Sequence, residues 1–128
     1  TGGAGVTGDH HGNAGATSSF GSYLSASGGG VGRHGNAGHV FGGLGGTASG
    51  GDINIQGGSG MAGDDSDNNH FTAGTGGSSF WTGGGRGMTN SSTYAGSTGN
   101  FGSGGGGGSN GQASFAGGAG FVLVEEYK

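Results

Sequence analysis

The chain has 128 residues, of which 42 are glycine, and it contains neither proline nor cysteine. The lack of proline excludes collagen, and the lack of cysteine excludes a disulfide framework and thiol chemistry. Because the net charge is −4 and only three residues are Lys or Arg, nucleic acid is a poor partner. No apolar run approaches the length of about 18 residues that would cross a bilayer. The sequence therefore predicts a single domain over 1–128 without membrane insertion.

Glycine recurs at every third position along much of the chain. It does so near the start at Gly2, Gly5 and Gly8, and again from Gly96 to Gly111. A period of three fits neither the α-helix nor the β-strand and is the repeat of a polyproline-II-type helix. Glycine in this register leaves one edge of such a helix bare, so that another backbone can lie against it. A flexible linker is the alternative for this composition, but the regular register and the interspersed aromatics disfavour it.

The predicted fold class is therefore non-helical and glycine-rich: a bundle of polyglycine-II or polyproline-II-type helices with a few short β-strands. The pentapeptide His-Gly-Asn-Ala-Gly occurs at 11–15 and again at 34–38. Residues 16–27, poor in glycine, are predicted to be a loop between two glycine runs. Residues 51–57 alternate apolar and polar side chains, which predicts a short strand.

Further along the chain, residues 64–72 form a polar insert without glycine, and 88–95 are a further loop. The chain then ends in an apolar stretch, which predicts a C-terminal strand over about 121–127. No window has helical periodicity with caps, so no α-helix is expected.

The acidic cluster from Asp64 to Asn69 raises the possibility of a calcium site. It lacks the glycine and glutamate that an EF-hand loop requires at its sixth and twelfth positions. A solvated polar loop is the simpler interpretation. Among the histidines, His10, His34 and His39 are weak candidates for a transition-metal site, but their spacing matches no zinc motif. We therefore expect neither a metal nor a cofactor.

No catalytic frame is recognisable. The sequence has no nucleophile elbow, no paired carboxylates and no cofactor fingerprint between a strand and a helix. We expect that the protein is not an enzyme.

The glycine-poor loops combine aromatic residues with serine, threonine and asparagine. That mixture is typical of binding surfaces in which rigid rings supply contact area and polar groups supply adaptable hydrogen bonds. The candidate binding residues are Phe20, Tyr23, Leu24, Asp67, Asn69, His70, Phe71, Thr93 and Tyr94. The candidates for packing within the scaffold are Phe80, Trp81, Phe121, Val122, Leu123 and Val124.

Three stretches together carry a family resemblance. They are Gly-Ser-Ser-Phe-Trp-Thr-Gly-Gly-Gly-Arg-Gly at 77–87, Tyr-Ala-Gly at 94–96, and the C-terminal run from Gly117 to Tyr127. In this order, with the glycine run 104–108 between the last two, they resemble the glycine-rich C-terminal domain of tailed-bacteriophage tail fibres and tail-tip adhesins. The resemblance covers 77–128 well, 51–60 loosely and the first 50 residues only in style. It departs from the family pattern in lacking a proline before the last strand, which leaves that turn undefined.

The resemblance implies a receptor-binding tip at the distal end of a virion's tail fibre, outside the cell and often trimeric. The partners would be the upstream fibre shaft and a bacterial surface polysaccharide or outer-membrane protein. In related adhesins polyglycine-II helices pack together, and the segments between them contact the receptor. Carried onto this chain, those segments are 16–27, 64–72 and 88–95.

Two other classes remain as alternatives. An ice-binding protein with a glycine-rich polyproline-II bundle would need a regular row of small residues on one face, and a thermal-hysteresis assay would detect it. A structural glycine-rich matrix protein would show low-complexity repeats throughout. The irregular aromatic and acidic loops disfavour both.

Overall fold

The computed structural model describes residues 1–8, 10–32, 41–64, 72–88, 96–108, 112–120, 122–123, 125–126 and 128. Within these ranges the secondary structure consists of short antiparallel strands and extended segments, with no helix. The predicted non-helical class is thus confirmed. In the same ranges, no helix exists that could span a membrane.

One small antiparallel sheet contains the three strands, in the order β1-β2-β3. The strands are β1 (Ser18–Phe20), β2 (Leu24–Ala26) and β3 (Ala48–Ser49). A tight turn joins β1 to β2, and Gly21 adopts the positive φ of 54° that this turn needs. The predicted loop 16–27 is therefore a hairpin, because its serine, aromatic and leucine residues pair well across two short strands.

The predicted strand over 51–57 is wrong. Residues 51–53 form a bend, and the Asn54 side chain closes it: its Oδ1 accepts from the Gly51 N–H at 3.2 Å, and its Nδ2 donates to the Gly51 carbonyl at 2.7 Å. Gly50, with φ of 92°, precedes the bend. An asparagine that bonds to nearby backbone favours a turn over an extended strand. The alternation of Ile53 and Ile55 with polar residues predicted a strand, because it does not show that Asn54 bonds to the nearby backbone.

The predicted C-terminal strand is also not seen in the part of 121–127 that the structure describes. Val122, Leu123, Glu125 and Glu126 are exposed and belong to no strand. Within the described part of the chain, Val122 and Leu123 exchange no backbone hydrogen bond with another segment, and a strand requires such a ladder. Residues 121, 124 and 127 lie outside the described ranges.

Most of the described chain consists of extended segments without strand character. In chain order we label them s1 to s10: 1–7, 10–16, 27–32, 41–47, 55–64, 72–79, 82–88, 96–100, 103–108 and 112–120. The sheet continues three of them, since β1 follows s2, β2 precedes s3 and β3 follows s4.

Backbone hydrogen bonds join these segments at intervals of three residues. Between s6 and s7, the N–H groups of Ala73, Gly76 and Ser79 donate to the carbonyl oxygens of Met88, Gly85 and Thr82, at 2.8–2.9 Å. The same interval separates the donors Gly57 and Gly60 on s5 and the donors Gly104 and Gly107 on s9. The spacing of the bonds thus repeats the spacing of glycine in the sequence.

Consecutive segments run in opposite directions, so the chain passes up and down through the molecule. In addition, s10 bonds back to s1, through Gly117 N–H to the Gly3 carbonyl at 2.9 Å. Likewise s9 bonds to s6, through Gly104 N–H to the Gly77 carbonyl at 2.8 Å. Segments s1 to s6, s9 and s10 therefore close a ring around a cavity of about 440 Å³, and s7 and s8 pack outside that ring.

The described residues include no buried apolar side chain. The buried positions among them are Ser103 and the glycines Gly63, Gly85, Gly87, Gly99 and Gly106. Since the interior consists of backbone, hydrogen bonds and close main-chain contact hold the segments together, where an ordinary domain uses packed side chains.

Glycine is required where two backbones touch. A Cβ placed on Gly106 would collide with the carbonyl oxygen of Arg86, and a Cβ on Gly85 would collide with that of Ser97. Neither neighbour can rotate away, because each is main chain. By contrast, a Cβ on Gly83, in the same segment as Gly85, would meet no atom within 4 Å.

We expect Gly106→Ala to lower the free energy of unfolding by about 1–3 kcal/mol or more, because the added methyl group must push two hydrogen-bonded segments apart. Gly83→Ala is the matched control. It should be neutral or stabilising by up to about 1 kcal/mol, because alanine restricts the unfolded chain. Urea unfolding followed by circular dichroism measures both, and equal midpoints for the two variants would contradict the close-contact account.

Candidate functional site

The up-and-down path of the chain gathers its turns at two ends of the molecule. One end, which we name the aromatic end, carries the turns at 17–26, 48–54, 80–81 and 101–102. The other, the opposite end, carries the turn at 8–11 and the segment ends that flank 33–40, 65–71, 89–95 and 109–111. The predicted loop 16–27 therefore lies at a different end from the segment ends that flank 65–71 and 89–95.

A first group of side chains at the aromatic end comes from the β1–β2 hairpin and the bend that follows β3. The rings of Phe20 and Tyr23 lie 6.5 Å apart, centroid to centroid, at 39°. Leu24 faces the bend, since its Cδ2 would lie 3.6 Å from a Cβ on Gly51. Ile53 projects from that bend and is 83% exposed. The hairpin and the bend thus present one apolar group to solvent.

A second group comes from the turn between s6 and s7. Phe80 and Trp81 pack edge to face, with ring centroids 5.0 Å apart at 87°. The Ser79 hydroxyl accepts from the N–H groups of Trp81 at 3.2 Å and Thr82 at 3.1 Å, so the turn is fixed by its own side chain. Both rings are more than half exposed. The geometry therefore holds two exposed rings on a short turn, at the edge of the cavity whose lining they join.

Phe101 extends this second group from the turn between s8 and s9. It has a positive φ of 44°, uncommon for a residue with a side chain, and Gly102 follows with φ of 81°. The turn is held by Ser103, whose Oγ accepts from the Asn100 N–H at 2.9 Å while its own N–H donates to the Asn100 carbonyl at 2.9 Å. Thr82 ties the two turns together, because its hydroxyl donates to the Asn100 carbonyl at 2.8 Å.

The two groups meet near the last described glycine of s10. A Cβ on Gly120 would lie 2.9 Å from the Ser18 hydroxyl, at the start of β1, and the Cα of Gly120 lies close to Gly102. Thr1 lies at this end as well, since its carbonyl accepts from the Ala16 N–H at 3.0 Å. The N-terminus and the end of s10 thus share the aromatic end.

The structure brings together three of the predicted binding residues, Phe20, Tyr23 and Leu24, and leaves their side chains exposed. It places Phe80 and Trp81, predicted to pack within the scaffold, on the exposed surface of the same end. Both rings line the cavity at this end, but the segments do not enclose them, so they stay exposed. Val122 and Leu123 are exposed too. The remaining predicted binding and packing residues lie outside the described ranges: Asp67, Asn69, His70, Phe71, Thr93, Tyr94, Phe121 and Val124.

Sequence reasoning missed Ile53 and Phe101 as surface residues. Phe101 stands in Asn-Phe-Gly inside a glycine-rich run, and that tripeptide is itself a turn signal that could have placed it. Ile53 was assigned to a strand, so its exposure on a bend was not anticipated.

The described residues offer few side chains that could bind a metal ion or perform chemistry in the cavity. They contain no group of three or more His, Asp or Glu side chains placed to hold a metal ion. His10 is exposed, and His34 and His39 lie outside the described ranges. The cavity is lined mainly by glycine, and its lining includes two ionisable side chains, His10 and Asp64. The aromatic end is therefore the best-defined candidate site.

Comparisons with models of protein families, with curated proteins and with solved structures found no match.

We expect Ser103→Ala to destabilise the turn that presents Phe101. Ser103 is 2% exposed, and its loss leaves the Asn100 N–H without its acceptor, which should cost about 1–3 kcal/mol of unfolding free energy. Ser59→Ala is the control, since Ser59 is exposed and accepts only a 3.4 Å bond from Gly45. The change there should stay within about 0.5 kcal/mol. Urea unfolding of both variants tests this, and a Ser103→Ala protein as stable as Ser59→Ala would contradict it.

Proposed function

We propose that s1 to s10 are polyglycine-II helices. The first support is the three-residue interval of their hydrogen bonds, which equals the repeat of that helix. The second is the number of neighbours: s9 bonds to s6, s7, s8 and s10. A β-strand bonds to at most two neighbours, one at each edge, whereas a three-fold helix directs its polar groups around its axis. The parallel pairing of s7 with s9 within the same bundle fits this geometry as well.

This proposal predicts a characteristic pattern of amide hydrogen exchange. Along s6 the amides of Ala73, Gly76 and Ser79 should exchange slowly, while the exposed turn residue Phe80 exchanges fast. Nuclear magnetic resonance of the folded chain measures each amide. Far-ultraviolet circular dichroism should show neither helical nor β-sheet bands of native size. Protection that alternates every second residue, as along the edge of a β-sheet, would contradict the proposal.

We further propose that the protein is the receptor-binding tip of a bacteriophage tail fibre, assembled as a homotrimer, that attaches the virion to a bacterial surface. The family resemblance suggests it, and the single structural observation that best supports it is the separation of scaffold from surface. The described interior contains backbone and Ser103, whereas the large side chains lie outside it. Turn sequences on such a scaffold can vary without disturbing its packing, which suits a recognition surface.

Which end faces the host follows from the chain path. If the domain is joined to a fibre through Thr1, the aromatic end faces the fibre, because Thr1 lies there. The opposite end then points outward, with the segment ends that flank 65–71 and 89–95. We therefore assign receptor contact to those two predicted loops, and among the predicted binding residues we give Phe71 and Tyr94 precedence over Tyr23.

Binding to intact bacteria tests this assignment. The fluorescently labelled chain should bind saturably to some strains of a diverse panel, with the label measured by flow cytometry. Phe71→Ala combined with Tyr94→Ala should weaken that binding at least about tenfold, because aromatic residues supply much of the energy of such contacts. Tyr23→Ala is the control at the aromatic end and should leave cell binding unchanged.

Two outcomes would count against the proposal. Binding to no strain of the panel would remove the support for host attachment. Loss of binding in Tyr23→Ala, with normal binding in the double variant, would reverse the assigned orientation. As a control for folding, the melting temperature of each variant must match that of the parent chain.

A further inference from the structure

The aromatic end carries a concentration of exposed apolar side chains. They come from four separate turns that the chain path brings together. Each of them is at least 44% exposed, and they are Phe20, Tyr23, Leu24, Ile53, Phe80, Trp81 and Phe101. Single exposed hydrophobic residues are normal on a protein surface, but a cluster of this kind marks an interaction site.

The area of this surface is that of a protein interface. The exposed fractions of its seven side chains correspond to roughly 600–900 Å² of apolar surface. A stable protein–protein interface buries about 800 Å² on each partner. Phe80, Trp81 and Phe101 also line the cavity, so part of this area faces it, and the remainder supplies a large part of one partner's share of an interface.

The chemistry of the surface favours a protein partner with the same character. The described turns of the aromatic end contain one charged residue, Asp52. Interface centres are depleted in charge and enriched in tyrosine, tryptophan and phenylalanine, as this end is. With so little charge, the surface offers little electrostatic repulsion to an identical copy of itself.

We propose that the aromatic end is a self-association surface, on which the aromatic end of a second copy of this chain docks. Copies joined in this way bury the apolar turns against each other and leave their opposite ends exposed. Closed symmetric assemblies of identical chains, such as a dimer or the homotrimer proposed above, are the commonest oligomers. The proposal does not depend on attachment to bacteria.

Sedimentation of the 128-residue chain tests the proposal. Analytical ultracentrifugation over a range of concentrations should give the mass of two or three chains at the upper concentrations, falling towards one on dilution. Because Thr1 lies at the aromatic end, a tag on the N-terminus would lie against the interface, so any tag must be cleaved.

A pair of matched variants locates the surface. Tyr23→Ser, Ile53→Ser and Phe80→Ser together remove side chains that are 74%, 83% and 69% exposed at the aromatic end. Phe41→Ser, Leu44→Ser and Met61→Ser together remove side chains that are 80%, 72% and 68% exposed on s4 and s5. The first variant should self-associate at least about a hundredfold more weakly than the parent chain, whereas the second should associate normally.

Trp81 provides a second measurement that needs no substitution. It is the one tryptophan of the chain, and it lies within the proposed interface. Its fluorescence emission should move to shorter wavelength as concentration rises, in step with the increase in mass, because the ring leaves water on association. Because this fluorescence is measured on the parent chain, it tests the proposal even if the triple variant at the aromatic end fails to fold.

A parent chain that stays monomeric at every concentration would overturn the proposal. So would equal loss of association in both triple variants, or association with unchanged Trp81 emission, because each would place the contact on another surface. A monomeric chain that instead binds vesicles of neutral phospholipid through Trp81 would show that this end takes a lipid surface, and would overturn the proposal as well.

Discussion

The constraint on which this structure depends is the distance between neighbouring backbones. Extended segments can exchange hydrogen bonds on several sides only if no side chain stands between them, and glycine is the residue that meets that condition. Gly106 against Arg86 and Gly85 against Ser97 show it directly, since a Cβ on either glycine would collide with a carbonyl oxygen. The interior is consequently made of main chain, and Ser103 is the one side chain that the described residues bury. Backbone hydrogen bonds here hold the segments together, whereas packed apolar side chains do so in an ordinary domain.

A second consequence concerns where side chains can go. Because consecutive segments run in opposite directions, the described turns fall at one of two ends, and several of the large side chains collect there. Phe20, Phe80 and Phe101 are far apart in the sequence yet lie at the same end. The same alternation separates the 16–27 hairpin from the segment ends that flank 65–71 and 89–95. The topology alone therefore places different turns at the two ends of the molecule.

The glycine register predicted the non-helical class and the positions of the glycine runs, because sterics at every third residue act locally. It did not predict where side-chain hydrogen bonds or a positive φ would change the local structure at the turns. At 51–57 the side chain of Asn54 bonds to Gly51 and converts an alternating pattern into a bend. At 16–27 a positive φ at Gly21 allows a hairpin where a loop was expected. The end at which each turn lies depends on how many times the chain has reversed before it. That number is a property of the whole chain path, so a single motif cannot predict it. The glycines that flank Phe80 and Trp81 predicted packing within the scaffold, but both rings stay exposed at the edge of the cavity.

The aromatic side chains of this protein thus require an explanation other than folding. In a domain with an apolar core, exposed rings can be leftovers of a surface that cannot be wholly polar. Here the described residues bury no ring, although Phe115 is half-buried against Gly96, and the exposed rings at the aromatic end present apolar surface that favours association with another surface. Ser79, Asn100 and Ser103 fix the turns that carry three of them through specific hydrogen bonds. Such fixed presentation lowers the entropy lost on contact with a partner, which is the physical condition for a recognition surface.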